Sequence, residues 1–407
     1  MAPVRIEGQA VAVETPTSKS NPIVILATAT VGFAICFWAW ALISPLGSAY
    51  AGDFGLSAVQ QSLIVALPVV VGSIGRVPVG AMTDRYGARV MFPAVSALTV
   101  IPVLFIGLAG HSFVAVLVGG FFLGIGGTAF AVGVPLVNSW FEPGRRGLAI
   151  GVFGAGTIGT AISAFTTVQL ADAWGREVPF IVVAVLLAAY AIVSRSVLRD
   201  RASQAATGGF LDRTWTTLRR PVTLQLSLLY AVSFGGFVAF SVYLPTYLTN
   251  AYGLDHGDAA LRTAGFVVLA VAMRPCGGWI SDRFHPVPVL LVCFVAAAVL
   301  AALAGLELNL LPGGTIAFLG LAAVLGAASG AVFALVARLV EPAVVGSTTG
   351  IVGAAGGLGG FVPPLLMGEI YARTGHYSLG LYLLAAMSVL TAFLTWRTMR
   401  PGRTIAR

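Results

Sequence analysis

Charge is scarce in this chain, and lysine is almost absent. Of the 407 residues only 9% are charged, 58% belong to the hydrophobic set, and Lys19 is the single lysine. Soluble globular domains carry about 25% charged residues, so a soluble chain of this composition would lack the polar side chains to cover its surface. A membrane protein is therefore indicated. A large soluble catalytic domain is excluded, because about a dozen spans of roughly 20 residues would use most of the chain.

Cysteine is also scarce, and its spacing excludes two classes of site. Cys36, Cys276 and Cys293 all fall inside apolar runs, far apart in sequence. This spacing predicts neither a disulfide framework nor a metal site, so we interpret the three thiols as packing residues and expect no cofactor. The apolar runs also lack a nucleophile, base and acid set, so we expect the protein not to be an enzyme.

The net charge of +8, from 23 basic and 15 acidic side chains, is concentrated on one side of the predicted membrane. The segment 199–221 carries five arginines against two aspartates, and further arginines follow the last apolar run. Short basic loops face the cytoplasm, so we expect this segment and both termini there, in a bacterial-type plasma membrane. Because the positive charge has this explanation, we expect no nucleic-acid partner.

Twelve apolar runs predict an all-α membrane protein with six helices on each side of that segment. A backbone exposed to lipid must satisfy its own hydrogen bonds, which excludes irregular spans. The expected organisation is a tail at 1–21, a six-helix half at 22–198, the linker at 199–221, a second half at 222–397 and a tail at 398–407. The runs lie at 22–44, 58–80, 90–110, 112–137, 147–170 and 179–197, and then at 222–248, 261–280, 288–306, 315–337, 346–370 and 378–396.

Internal repetition supports two homologous halves. Arg76 is followed by Gly80, Asp84 and Arg85 at the same steps at which Arg274 is followed by Gly278, Asp282 and Arg283. A second set of pairs, at an offset near 199 residues, matches the glycines of the fifth run with those of the eleventh. Membrane carriers are often built from repeated halves, with the substrate at the interface between them.

Arg76 and Arg274 are the principal candidates for a binding site. Each lies eight residues before an aspartate at the cytoplasmic end of its run, or about 12 Å into the membrane at 1.5 Å per residue. An arginine at mid-membrane costs roughly 2.5–3.5 kcal/mol even on the lenient insertion scale, so idle ones are rare. No acidic residue lies deep in any run, and Glu369 near an outer end is the nearest. We expect both guanidinium groups to face a cavity that holds an anion, although snorkelling or donation to backbone carbonyls is the alternative.

Glycines and aromatic residues near these arginines give weaker signals. The fifth run reads GVFGAGTIG and includes Gly156 and Thr157, and the eleventh reads GIVGAAGGLGG and includes Gly356 and Gly357. Small residues at these steps are common packing devices between membrane helices, so helix packing is at least as good an explanation as ligand contact. Phe130, Tyr230 and Phe234 are further candidates, yet each alone fits ordinary packing.

The loop after the second run carries a compact charged motif, G-x-x-x-D-R-x-G-x-R. Its members are Gly80, Asp84, Arg85, Gly87 and Arg89, and a shorter copy with Asp282 and Arg283 occupies the matching loop of the other half. A tight turn that follows the positive-inside bias explains the motif without a further role. We favour a gate, in which these charges pair with neighbouring helix ends and hold the cytoplasmic side shut.

The motif GAMTDRYGAR resembles the loop motif of the major facilitator superfamily. Within that superfamily the chain is similar to the nitrate/nitrite porter family, through GRVPVGAMTDR, YAVSFGGFVAFSVYLPTYL, MRPCGGWISDR and TTGIVGAAGGLGGFVPP. The resemblance implies that Arg76 and Arg274 clamp the anion and that Phe130, Tyr230 and Phe234 sandwich it. The glycine-rich stretches correspond to the family's two nitrate-signature segments. Thr157 stands where the family typically has asparagine, and its hydroxyl can donate to an oxyanion but lacks the two N–H donors of an amide.

The sequence therefore predicts a secondary transporter for nitrate, nitrite or both, acting as a monomer in nitrate assimilation. We expect anion exchange, since no acidic residue lies deep in the spans and the four histidines lie near loops. Proton symport is an alternative, as is an organic carboxylate or a drug as the cargo. An anion channel or a transporter-like receptor is a rival from another class, which saturable uptake with trans-stimulation would exclude.

Overall fold

The computed structural model describes residues 21–201 and 210–399. Most of the two expected tails and residues 202–209 of the linker lie outside the described residues. Within these residues, twelve helical spans are long and apolar enough to cross a membrane. In chain order they are Pro22–Phe54, Ala58–Tyr86, Ala88–Ala109, Phe113–Trp140, Pro143–Trp174, Val178–Val197, Pro221–Tyr252, His256–Phe284, Pro286–Gly305, Leu310–Leu339, Val345–Thr374 and Ser378–Thr398, called spans 1 to 12 below.

The twelve predicted runs all coincide with spans, and most spans extend several residues beyond them. A helix that the apolar pattern did not predict, Phe210–Arg219, lies in the linker and contacts spans 2, 7 and 11. We call the end of the molecule that carries the linker the linker side, and the opposite end the distal side.

Three spans of the first half are interrupted, whereas their counterparts in the second half are continuous at the same depth. Span 1 breaks between the helices Pro22–Trp40 and Ile43–Phe54. Span 4 contains a 3₁₀ segment at Gly124–Thr128, and span 5 contains another at Ala155–Thr157. A 3₁₀ stretch inside a long helix changes which carbonyl groups the helix itself uses, and it often marks a functional position.

Equivalent turns join span 2 to span 3 and span 8 to span 9. Gly87 and His285, 198 positions apart like the two arginines, have positive φ angles of 79° and 76°. At Gly87 the missing side chain leaves room for Asp200, whose Oδ1 accepts a 2.9 Å hydrogen bond from the Ala88 amide and caps span 3. Burial raises the pKa of the Asp200 carboxyl, although the hydrogen bonds from Arg89 and Ala88 act in the opposite direction. The start of the linker is thus attached to the first half.

A cavity of about 690 Å³ lies between the two halves on the distal side. Its walls come from spans 1, 2, 5, 7 and 8, and it descends from residues such as Pro45 and Pro245 to Phe37, Thr157 and Phe234. On the linker side, span 2 packs tightly against span 11 and span 5 against span 8. The two halves are therefore closed together on the linker side and separated on the distal side.

Candidate functional site

Arg76 is buried at the middle of the molecule, with 1% of its surface exposed. Its Nε donates to the Gly127 carbonyl at 3.0 Å, and its Nη1 donates to the Gly353 carbonyl at 2.7 Å. Gly127 belongs to the 3₁₀ segment of span 4 in the same half, and Gly353 belongs to span 11 in the other half. The guanidinium therefore bridges the interface between the halves. Both bonds go to backbone carbonyl groups, as in the alternative interpretation of the sequence.

Arg274 occupies the equivalent position in the second half, with 3% exposed. Its Nη1 donates to the Thr157 hydroxyl at 3.2 Å, and its Nη2 donates to the Tyr230 hydroxyl at 2.9 Å. Its Nε is buried and has no hydrogen-bond partner. A buried donor left without an acceptor costs roughly 1–3 kcal/mol, and more when the group is charged, so this N–H is the point at which an acceptor would be held most strongly.

The partners of both arginines are neutral. The hydrogen bonds of the two guanidinium groups to described residues go to carbonyl and hydroxyl oxygens only. Glu369, the acidic residue that the sequence places nearest to mid-span, is exposed and paired with Arg373. Two buried positive charges without a carboxylate partner leave a strongly electropositive centre in a medium of low dielectric constant.

Aromatic rings surround the two guanidinium groups. The Phe130 and Tyr230 rings have nearly parallel planes, at a 7° angle, and their centroids lie 6.1 Å apart. Tyr230 also stacks on Phe234, one turn further along span 7, with centroids 4.9 Å apart. The Phe234 ring lies 5.9 Å from the Arg76 Cζ and 5.1 Å from the Arg274 Cζ. The three aromatic candidates from the sequence are thus brought together around both arginines.

The glycine candidates divide into two groups. A Cβ at Gly356 would lie 2.3 Å from the Tyr230 ring, and a Cβ at Gly357 would lie 2.0 Å from the Ser73 hydroxyl and 3.6 Å from the Arg76 Nη1. These two positions border the site. Gly156 does not, because a Cβ there would meet Phe33 and the Thr30 carbonyl, where span 5 packs against span 1. Gly156 therefore serves helix packing between spans 1 and 5.

The distal cavity differs from the sequence-based expectation in one respect. Thr157 and Phe234 are among its lining residues, but neither arginine is. The cavity therefore does not reach the guanidinium groups, which lie behind these side chains with almost no exposed surface. The aromatic side chains account for this difference, because Phe37, Phe130 and Phe234 each lie within 6 Å of the Arg76 Cζ.

Two aspartates of the loop motifs contact helix ends across the interface. The Asp84 carboxylate accepts hydrogen bonds from the Gly346 and Ser347 amides at 2.7 and 2.8 Å, at the start of span 11. The Asp282 carboxylate accepts from the Gly147 and Leu148 amides, both at 2.8 Å, at the start of span 5. A carboxylate at a helix N-terminus satisfies free N–H groups and interacts favourably with the helix dipole.

The remaining motif residues make different contacts. A Cβ at Gly80 would lie 2.2 Å from the Gly346 carbonyl oxygen, so spans 2 and 11 touch through their backbones there. Arg85 lies over the ring of its neighbour Tyr86, and Arg283 lies over Trp279 and Phe284 of its own segment. The Arg89 amide donates to Asp200, and Gly87 leaves space for that carboxylate. Among the described residues of the two motif copies, Gly80, its equivalent Gly278 and the two aspartates thus make contacts across the interface.

Several residues of the site were not predicted from the sequence. Gly127 and Gly353 contribute carbonyl groups, which any residue type carries, so composition gives no signal for them. Phe333 contacts Phe130 and Tyr230 edge-on, with centroids 4.9 and 4.8 Å away, and nothing in its sequence neighbourhood distinguishes it from a core residue.

Comparison with known protein families settles the class. A family model described as Major Facilitator Superfamily matches residues 29–332 and 226–406. The chain belongs to the major facilitator superfamily. It is therefore a membrane transporter, which excludes the enzyme class, and the predicted architecture of twelve helices in two pseudo-symmetric halves is confirmed.

Curated relatives match most of the length of the chain. A "Probable nitrate/nitrite transporter NarK2" of Mycobacterium tuberculosis is 46% identical over 88% of this chain and 92% of its own. A "Nitrite extrusion protein" of Bacillus subtilis is 36% identical, over 89% and 91%. A "Probable nitrate transporter NarT" of Staphylococcus epidermidis is 35% identical, over 89% and 92%. The predicted resemblance to nitrate/nitrite porters is confirmed.

Solved structures of this superfamily share the fold at low sequence identity. The transporter FucP, crystallised in the outward conformation, aligns with a TM-score of 0.74 at 17% identity and covers 93% of this chain and 99% of its own. A double tryptophan mutant of XylE aligns with a TM-score of 0.76 at 16% identity, over 94% and 97%. At this identity the likeness supports the architecture alone.

Proposed function

We propose that this transporter moves nitrate, nitrite or both across the membrane by alternating access. Two buried guanidinium groups, one from each half and both with neutral partners only, carry the proposal. Each of these charges costs roughly 2.5–3.5 kcal/mol in mid-membrane even on the lenient scale, and a bound anion compensates part of that cost. The names of the relatives agree with such a cargo.

The separation of the aromatic rings favours a small planar anion. Atoms in contact lie about 3.5 Å apart, so a flat anion between two parallel rings needs centroids about 7 Å apart. The 6.1 Å between the Phe130 and Tyr230 centroids is an upper limit on the spacing of the two ring planes, so the rings must separate by roughly 1 Å or more to admit nitrate or nitrite. Guanidinium groups offer paired donors that match planar oxyanions. A bulky organic carboxylate would require the rings to move much further apart.

We place the linker side in the cytoplasm, because the basic residues concentrate there. In this orientation the distal cavity opens to the outside, and the contacts of Asp84 and Asp282 close the cytoplasmic side. These aspartates, with Gly80 and its equivalent Gly278, form the cytoplasmic gate in the proposal. The membrane is the plasma membrane of a bacterial-type cell, and a single chain contains the whole site.

Uptake into proteoliposomes tests the cargo. We expect saturable uptake of nitrate or nitrite by the unchanged protein. Arg76→Lys and Arg274→Lys should each reduce uptake by tenfold or more, because a lysine ammonium cannot reproduce the paired donors. Arg262→Lys is the matched control, since this arginine lies on the distal surface, where it pairs with Asp258.

Three results would contradict the proposal in different ways. Uptake that does not saturate would indicate a channel. Binding of nitrate without any uptake would indicate a receptor. Unchanged transport of a bulky carboxylate or drug by the two lysine variants, with no transport of nitrate or nitrite by any protein, would move the cargo to the organic class.

A further inference from the structure

The two arginines are not held in the same way, although they occupy equivalent positions. Gly154 of span 5 and Gly353 of span 11 are equivalent in the two repeats. Arg76 Nη1 reaches the Gly353 carbonyl directly at 2.7 Å. Arg274 Nη1 instead reaches the Thr157 hydroxyl at 3.2 Å, and that hydroxyl lies 3.0 Å from the Gly154 carbonyl. A hydroxyl group therefore stands between Arg274 and the carbonyl that corresponds to the partner of Arg76.

The difference arises from one position of the repeat. The equivalent of Thr157 in span 11 is Gly356, where a Cβ would lie 2.3 Å from the Tyr230 ring. The packing of Tyr230 thus excludes a side chain at position 356. Position 157 instead carries a side chain, and the 3₁₀ segment Ala155–Thr157 directs its hydroxyl to the carbonyl three residues earlier.

The hydroxyl of Thr157 has its single proton engaged. A threonine hydroxyl donates one hydrogen bond and accepts up to two. Its proton goes to the Gly154 carbonyl and its oxygen accepts from Arg274, an arrangement in which it has no donor left for an oxyanion. This differs from the expectation that the hydroxyl donates to the cargo. Of the three side-chain nitrogens of Arg274, Nε is the one without a hydrogen-bond partner among the described residues.

We infer that Thr157 is a positioning residue that acts through Arg274 and does not bind the anion. This inference rests on the proposed function for the identity of the cargo. The hydroxyl holds Nη1, Tyr230 holds Nη2, and the guanidinium is thereby oriented with its Nε–H free for the cargo. Because Thr157 and Arg274 belong to different halves, the same bond ties span 5 to span 8 while the linker side is closed.

If Thr157 acts through Arg274, its hydroxyl should affect the conformation of the protein even when no anion is bound. Thr157→Val keeps the shape of the side chain and removes the hydroxyl, so the closed linker side loses one bond to a charged group. Such bonds contribute enough to change an equilibrium by tenfold or more. Without nitrate or nitrite, we expect the ratio of linker-open to linker-closed molecules to rise about tenfold in Thr157→Val and to change less than twofold in Thr157→Ser.

Spin-label distances across the linker side measure this ratio. The labels are attached in Arg195→Cys and Arg397→Cys, since both positions are exposed near the linker-side ends of spans 6 and 12. Cys276→Ser removes the exposed native thiol.

Transport kinetics in liposomes are the second measurement. The KM for nitrate should rise about tenfold in Thr157→Val with kcat changed less than threefold, and Thr157→Ser should restore the KM. Thr157→Ala is a second hydroxyl-free variant in case the valine protein does not fold.

Two results would overturn the inference. The first is an unchanged distance distribution in both hydroxyl-free variants, together with a raised KM, because a direct ligand affects only the loaded protein. The second is a shift in Thr157→Ser as large as that in Thr157→Val. If instead no variant and not even the unchanged protein transports nitrate or nitrite, the proposed function fails, while the distances measured without anion still decide the role of Thr157.

Discussion

At the scale of single residues, the site depends on which donors are already engaged. Arg76 uses Nε and Nη1 on carbonyl groups, whereas Arg274 uses both Nη groups and keeps Nε without a partner. Charge alone does not distinguish these two states, and a lysine at either position could not reproduce them. Both arginines could be identified as candidates from the sequence, because a charged side chain in the middle of a span is costly and therefore rare without a function. Their individual partners could not be predicted, because two of them are backbone carbonyls.

The equivalent turns at Gly87 and His285 affect the stability of the protein. Both have a positive φ angle, a conformation that costs a non-glycine residue on the order of 1–3 kcal/mol. His285 offsets part of that cost, because its Nδ1 accepts from the Val287 amide at 3.3 Å. We expect His285→Gly to stabilise the protein by about 1 kcal/mol and Gly87→Ala to destabilise it by more, because its Cβ would also meet Asp200.

Thermal unfolding of the detergent-purified variants measures both effects. His285→Ala is the control, since it removes the ring while keeping a side chain at the positive φ angle. Of the unchanged protein, His285→Gly and His285→Ala, we expect His285→Ala to be the least stable. A His285→Gly protein that unfolds at a lower temperature than the unchanged chain would contradict the expectation.

At the scale of helices, the linker side is closed by close backbone contacts and capped helix ends. Gly80 meets the backbone of span 11 at Gly346, and Gly278 meets the backbone of span 5 at Gly147. Asp84 and Asp282 cap the starts of the same two spans. The repeated spacing in the sequence identified these residues and suggested pairing with helix ends. It did not indicate that Arg85 and Arg283 lie over aromatic rings of their own segments.

Substitution of one glycine tests this arrangement. In Gly278→Ala the new Cβ would lie 2.0 Å from the Gly147 carbonyl oxygen, so spans 5 and 8 must separate, at a cost of typically 1–3 kcal/mol. We expect this variant to favour the linker-open state and to transport more slowly, as measured by label distances and by uptake. Gly265→Ala, in the same span but with open space around it, is the control and should behave like the unchanged protein.

At the scale of the whole molecule, the pattern of apolar runs was sufficient to predict the fold. Each span must satisfy its own backbone, so length and apolar composition determine the helices. The breaks in spans 1, 4 and 5 were not predicted, since they depend on contacts between helices. The linker helix Phe210–Arg219 was also missed, because it is amphipathic and too short to resemble a span.

For the whole transporter we predict exchange of one anion for another. An empty carrier must move two buried positive charges that lack carboxylate partners, and moving one charge through a 100 mV potential involves about 2.3 kcal/mol. We therefore expect nitrate uptake to be at least several-fold faster into liposomes loaded with nitrite than into liposomes without an anion. With one monovalent anion carried in each direction, the exchange rate should not respond to a proton gradient. Rapid uptake that is driven by such a gradient into anion-free liposomes would indicate symport instead.

The distal cavity has a consequence for how substrate is captured from dilute solution. The described residues that line it are apolar or bear hydroxyl groups, and none of them is charged. Proteins that steer ions towards a site do so with charged surfaces, and such steering weakens steeply as ionic strength rises. The lining itself therefore contributes no charge that would attract an anion. In the proposed orientation, with the distal side outside, we therefore expect nitrate uptake at low concentration to depend only weakly on ionic strength.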